Sequence, residues 1–167
     1  MGTWTTTPRT WVAGEVPTAT HFNENVRDFG RAFSDAWTSY TPTLTASTTN
    51  PTNWTQSGYY MRAGKLVICR FLLVAGASVT AGTGTYRIAL PVNANTTIRH
   101  GASMAFCYDS SANSTALPRI YVENTAYVTL LYPATWPTGT QTSVSATAPF
   151  TWDANDEIGG GFVYEAA

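Results

Sequence analysis

Two hydrophobic periods divide the chain, and the change between them falls near residue 37. Within residues 18–37 the large apolar side chains recur at steps of three and four, which is the period of an α-helix: Phe22, Val26, Phe29, Phe33 and Trp37. From residue 38 onward, apolar and polar side chains alternate with period two over short runs. The pattern predicts one short helix followed by a domain of β-strands.

The predicted helix spans residues 18–37 and carries one narrow apolar stripe, made of the five residues just named. Thr18 or Thr20 can cap its amino end, and no proline interrupts it. Such a stripe resembles a coiled-coil seam more than the broad face of a core helix. A helix about 25 Å long is marginal alone in water, so its partner is either the same helix in other copies, which the narrow stripe favours, or the protein's own sheet. We predict that the stripe is an oligomer interface.

Residues 38–167 are predicted to form an antiparallel, jelly-roll-like β-sandwich. Many short runs joined by hairpin-like links, with no helix between them, favour this fold over a parallel α/β sheet. The strand candidates are residues 58–62, 65–75, 86–92, 103–108, 119–122, 126–132, 144–152 and 158–165.

The strand at residues 65–75 is apolar on both faces. Arg70 shares one face with Leu66, Ile68, Leu72 and Val74. The strand is therefore expected to lie at the centre of the domain or to form a subunit contact. The charge of Arg70 requires a carboxylate partner or an exit to water along its apolar stem.

Residues 1–17 are predicted to form an extended arm with turns, because they contain Pro8, Pro17, Gly14 and many threonines. Three large apolar side chains stand out on this otherwise polar arm: Trp4, Trp11 and Val12. They would be exposed unless the arm packs against another surface.

The charge content limits the classes of partner. Only 11% of the residues are charged, where soluble domains average about a quarter, and the net charge is −1 with no run of Lys or Arg. We therefore expect no nucleic-acid partner. We also expect that the protein does not insert into a membrane, because no segment resembles a bilayer span. We expect it to be made in the cytoplasm, because no segment resembles a secretion signal.

The residues that carry chemistry are few and scattered. His21 and His100 are the only histidines and have no triad or elbow context, although His100 with a distant Asp109 or Asp156 leaves a hydrolase as a remote alternative. Cys69 and Cys107 lie in apolar runs, far from a zinc spacing, and are predicted to be buried small hydrophobes, with a disulfide between them as the less favoured alternative. We expect no enzyme activity, no metal and no cofactor.

An acidic segment at residues 153–157 concentrates oxygen atoms that a calcium ion could bind. It lacks the full spacing of a calcium loop, and Asp and Asn are what a hairpin turn requires. We favour the turn.

Aromatic side chains near predicted loops are the candidate recognition groups. Sugar rings stack on such faces, so Trp54, Tyr59 and Trp136 are candidate glycan contacts. We favour the alternative, that most of these rings fill the core or a subunit contact.

The order of several segments resembles minor tail and tail-fibre proteins of phages that infect actinobacteria. These segments span most of the chain: residues 10–16 (TWVAGEV), 37–42 (WTSYTP), 58–60 (GYY), 64–67 (GKLV), 86–91 (YRIALP), 149–152 (PFTW) and 164–166 (YEA). The resemblance implies a virion protein and a homotrimer. Unlike the longer fibre proteins, this chain has no extended shaft between helix and β-domain, which favours a compact knob.

Together these observations predict a structural bacteriophage protein, located in the virion and anchored by its helix, with its β-domain at the tail tip, the fibre or the particle surface. Its expected partners are its own copies, other virion proteins through the arm, and host-surface glycan. The alternatives are a capsid decoration protein and a carbohydrate-binding module.

Overall fold

The computed structural model of the chain describes residues 12–22, 37–97, 103–133 and 141–167. Two antiparallel sheets account for the strands within these ranges. The predicted fold class, an antiparallel β-sandwich, is confirmed. The strands are β1 (Thr38–Tyr40), β2 (Leu44–Ala46), β3 (Thr52–Ala63), β4 (Leu66–Thr80), β5 (Tyr86–Ala89), β6 (Ser103–Asp109), β7 (Ser114–Ala116), β8 (Arg119–Val122), β9 (Tyr127–Pro133), β10 (Gln141–Ser143) and β11 (Glu157–Glu165).

The six-stranded sheet has the order β1-β3-β4-β11-β6-β7, and the five-stranded sheet has the order β10-β9-β5-β2, with β8 also paired to β9. Strand β4 is central, and its alternate residues are buried between the sheets: Val67, Cys69, Phe71, Leu73 and Ala75. The five-stranded sheet contributes Ile88, Ile120, Val128 and Leu130 to the same core. This is the packing that period-two sequences produce when one face of each sheet meets the other.

The described part of the predicted helix is α1 (Ala19–Phe22), which has four residues. The Thr18 hydroxyl accepts a hydrogen bond from the His21 N–H at 3.3 Å, and the Thr18 N–H donates to His21 Nδ1 at 3.3 Å. This reciprocal capping fixes the helix start where the sequence predicts it. Val26, Phe29 and Phe33 lie outside the described residues, so most of the stripe stays a prediction. In the part of the chain that the structure covers, no helix is long and apolar enough to cross a bilayer.

The described end of the arm contains a turn. The Glu15 N–H donates to the Val12 carbonyl at 3.0 Å, and Gly14 has a φ of 84°, a value that glycine adopts without strain. Val12 is 70% exposed. Trp4 and Trp11 lie outside the described residues.

The prediction of a strand at residues 144–152 is wrong. Strand β10 ends at Ser143, and Ser145 then forms isolated bridges with Thr85 and Ala148. The Trp152 indole N–H donates to the Ser145 carbonyl at 2.7 Å and closes the segment into a loop. Pro149 has no N–H to offer a neighbouring strand, which opposes an extended ladder here.

Candidate functional site

The outer face of the six-stranded sheet has an apolar centre, and the polar residues in the same rows include Thr55, Ser57, Glu157 and Glu165. In the β3–β4–β11 register, Ile68 lies between Met61 and Val163, and Leu72 lies between Ser57 and Gly159. Directly paired residues project from the same side of a sheet, so these rows form one continuous surface. We call it the apolar face, and it consists of Trp37, Tyr59, Met61, Leu66, Ile68, Arg70, Leu72, Val74, Met104, Phe106 and Val163.

Several side chains on the apolar face are open to solvent. Met104 is 78% exposed, Leu66 is 42% exposed and Leu72 is 37% exposed. Strand β11 contributes two glycines to this side: Gly159 lies under the Phe106 ring, where a Cβ would collide, and Gly161 lies between Arg70 and Met104. The missing side chain at Gly161 leaves a shallow groove of about 440 Å³ that Ile68, Met104 and Val163 also line.

Arg70 is the single cation within the apolar face. Its guanidinium carbon lies 4.9 Å from the centre of the Trp37 ring and 5.3 Å from the centre of the Tyr59 ring. Aromatic faces attract a guanidinium and stabilise it by about 0.5–1 kcal/mol at exposed sites. The charge is therefore held by ring faces at the centre of the surface, which answers the question that the sequence raised about this residue.

Trp37 links the apolar face to the predicted helix. It is the last residue of the helical stripe, it directly precedes β1, and its ring lies against Arg70. The stripe thus ends on the apolar face and not on the opposite side of the sandwich.

The outer face of the five-stranded sheet is different in kind. Arg87 Nη2 donates to Glu123 Oε1 at 2.9 Å, and the Arg87 guanidinium also lies 4.7 Å from the centre of the Tyr127 ring. At the edge of the same face, Arg119 Nη2 donates to Gln141 Oε1. The polar groups of this face satisfy one another, which is the usual state of a surface that faces water.

The acidic segment at residues 153–157 forms the turn that we favoured. Asn155 adopts a φ of 68° there, and Asp156 is fully buried. The Asp156 carboxylate accepts hydrogen bonds from the Ser110 N–H at 2.9 Å, the Ser110 hydroxyl at 3.1 Å and the Asp153 N–H at 2.7 Å. These bonds tie the entry of β11 to the end of β6. No group of three or more His, Cys, Asp or Glu side chains suited to a metal ion occurs among the described residues.

The two cysteines are free and buried, as predicted. Burial raises the pKa of the Cys69 and Cys107 thiols to about 12, because the core does not solvate a thiolate. Cys69 also shares a hydrogen bond of 3.4 Å with the Tyr40 hydroxyl. Neither thiol is in a state suited to nucleophilic chemistry at neutral pH.

The three candidate glycan contacts have different surroundings. Trp54 is only 9% exposed and packs edge-on against Trp152, with ring centres 5.4 Å apart, and against Tyr86 at 6.4 Å. Its ring therefore belongs to the core and offers no open face to a sugar. Tyr59 is exposed on the apolar face, and Trp136 lies outside the described residues.

A hydroxyl-rich groove of about 630 Å³ lies beside the sandwich, between residues 82–85 and residues 141–147. Its described lining consists of Gly, Ala, Thr, Ser and Gln, with no aromatic ring among them. The described lining therefore lacks the stacking surface on which sugar recognition commonly depends.

The sequence pattern predicts one row of the apolar face, on β4, but not the residues beside it. Met104, Phe106 and Val163 join this row only through the pairing of β6 with β11 and of β11 with β4. The sequence signal for that row is that residues 65–75 are apolar on both faces of the strand. The chain matches no protein-family model, and it shows no significant similarity to a curated protein or to a solved structure.

Proposed function

We propose that this chain is a structural protein of a bacteriophage particle, in which homotrimers joined through the stripe at residues 22–37 present the β-sandwich as a knob at the tail tip, fibre or particle surface. The observation that carries the proposal is the position of Trp37, the last residue of the predicted stripe. Its ring lies against Arg70 on the outer side of the six-stranded sheet and is 38% exposed, so the predicted stripe leads to a solvent-facing surface and not into the core of its own sandwich. The low charge content and the resemblance to actinobacterial phage tail proteins support the same function.

Two further contacts belong to the proposal. The arm anchors the knob to other virion proteins through Trp4, Trp11 and Val12, and the exposure of Val12 supports this role. Host-surface glycan is a further candidate partner, through Trp136 and, where no other copy covers the apolar face, through Tyr59.

The oligomer is tested by sedimentation of the purified chain and of a variant with Phe29→Asp and Phe33→Asp. We expect the wild type to sediment as a trimer, with three times the 18.0 kDa of one chain. The variant is expected to sediment as a monomer with an unchanged far-UV circular dichroism spectrum, because two carboxylates in an apolar seam are strongly destabilising. A wild-type monomer contradicts the proposal.

The location is tested by antibody labelling of intact phage particles, imaged by electron microscopy. Label at the tail tip or fibre is the expected result. Label distributed over the head supports the alternative of a capsid decoration protein. Particles that carry no copy of the protein contradict both.

A further inference from the structure

We infer that the apolar face is itself a subunit interface, covered by a second copy of this chain, so that the contact between copies continues from the helical stripe onto the outer side of the six-stranded sheet. This inference rests on the proposed homo-oligomer and names the surface through which the sandwiches meet.

The apolar face and the stripe are each too small for a stable interface, but together they approach the usual size. From Leu66 to Val74 the face is roughly 27 Å long, and four strands make it roughly 14 Å wide, which gives about 400 Å². The predicted stripe, about 25 Å long and about 10 Å wide, adds roughly 250 Å². A standard interface uses about 800 Å² on each partner. Because Trp37 belongs to both surfaces, they form one continuous contact.

The residue types on the apolar face are those that carry binding energy between proteins. Trp, Tyr, Arg and Met are enriched in the centres of interfaces, where Lys, Glu and Asp are depleted. Arg70 is held between Trp37 and Tyr59, so the guanidinium already has two apolar neighbours and loses less solvation when a partner covers it. The carboxylates of β11, Glu157 and Glu165, lie at the two ends of the strand, so no carboxylate of β11 lies in the middle of the face, where Arg70 is.

The alternative occupant is the chain's own segment, residues 23–36. A helix that covers a sheet needs a broad apolar side of about 100° or more, whereas this segment carries one narrow stripe and polar or small residues elsewhere. A single helix about 10 Å across also leaves part of a face roughly 14 Å wide uncovered. A neighbouring copy can supply both a stripe and a sheet.

The first test compares association constants from sedimentation equilibrium for three full-length variants. The face variant combines Leu72→Asp with Met104→Asp, the stripe variant combines Phe29→Asp with Phe33→Asp, and the control is Leu131→Asp on the outer side of the five-stranded sheet. Leu131 pairs directly with Arg119, so a new carboxylate there meets a guanidinium. We expect the face variant to weaken association by about 100-fold or more and the control to associate like the wild type. Met104 is so exposed that its substitution leaves the folded monomer intact.

The second test uses cysteine cross-linking, for which the native thiols give no background because both are buried. Leu72→Cys treated with a short bismaleimide is expected to give covalently linked chains on a denaturing gel, and Leu131→Cys is expected to give none. The cross-link is formed only if Leu72 residues of two copies approach each other.

The outcomes separate this inference from the proposed function. If the stripe variant dissociates while the face variant stays associated and Leu72→Cys reacts freely without cross-links, the interface is confined to the helix and this inference alone is overturned. If the wild type is a monomer in which Leu72→Cys is shielded from maleimide, the segment at residues 23–36 covers the face, and both proposals are overturned.

Discussion

Two buried tryptophans in one aromatic cluster differ in whether the indole N–H is hydrogen-bonded. This difference predicts different stabilities for the two Trp→Phe variants. Trp54 and Trp152 pack with ring centres 5.4 Å apart, and both are almost fully buried. The Trp152 indole N–H donates to the Ser145 carbonyl at 2.7 Å, whereas the Trp54 indole N–H has no hydrogen-bond partner among the residues that the structure describes. Replacing each ring by Phe removes a similar apolar area and one N–H group.

The expected stabilities follow from what each N–H does in the folded state. Trp152→Phe loses a hydrogen bond, which costs about 1 kcal/mol, while Trp54→Phe removes a buried unpaired donor whose desolvation costs about 1–3 kcal/mol. We therefore expect Trp152→Phe to be less stable than Trp54→Phe by about 2 kcal/mol in free energy of unfolding. In a domain of this size the difference corresponds to roughly 4–8 °C in Tm.

The measurement is urea unfolding followed by far-UV circular dichroism, with the wild type as reference for both variants. The sign of the difference is more informative than its size, because the ring volumes removed are equal. Equal losses in the two variants would refute the reasoning, since they would mean that the Trp54 N–H is already satisfied, for example by an enclosed water.

Two further predictions concern buried groups. Asp156→Ala is expected to lower the free energy of unfolding by about 3 kcal/mol, because it leaves the N–H groups of Ser110 and Asp153 unpaired. Ser110→Ala removes one hydroxyl, whose single proton is shared between the Asp156 carboxylate and the Ala154 carbonyl at 3.1 Å each, and costs about 1 kcal/mol. Equal losses in urea unfolding would contradict this assignment. For the thiols, the pKa of Cys107 is raised from about 9 to about 12 in the folded state, so the unfolded chain ionises first and stability falls between these pH values by about 1.4 kcal/mol per pH unit for that thiol. Cys107→Val should make the fall in stability shallower, and an unchanged slope in urea unfolding across that range would contradict the prediction.

The sandwich was predictable from the sequence because the signal for it is local. Alternation over residues 65–75 gives the orientation of each side chain without knowledge of any other strand, and β4 has the alternation that was expected. The surroundings of Trp54 were not predictable in this way. Strand β3 begins at Thr52, well before the predicted residue 58, because the long β4 pairs with it, and the register shifts between Thr52 and Trp54. That irregularity, with Asn53 at a φ of 60°, lies just before Trp54, whose inward direction follows from the regular alternation of the rest of β3 and its pairing with the buried Ala75.

The extent of the apolar face was unpredictable for a related reason. Met104 and Leu72 are far apart in sequence, and only the insertion of the C-terminal strand β11 between β4 and β6 places them on one surface. The sequence pattern near Met104 indicates a strand but not which strands lie beside it. The same nonlocal pairing puts Gly161 opposite both Arg70 and Met104, which creates the groove.

The outer faces of the two sheets differ in polarity. On the five-stranded sheet, Arg87, Glu123 and Tyr127 form a closed set of contacts. On the six-stranded sheet, Leu66, Leu72 and Met104 remain open, although a polar side chain at any of these exposed positions would cost the monomer little. Fold stability therefore does not account for the apolar residues on that side. The proposed contact between copies of the chain, formed after folding, would account for them, and it would also account for the position of Arg70 between two aromatic rings.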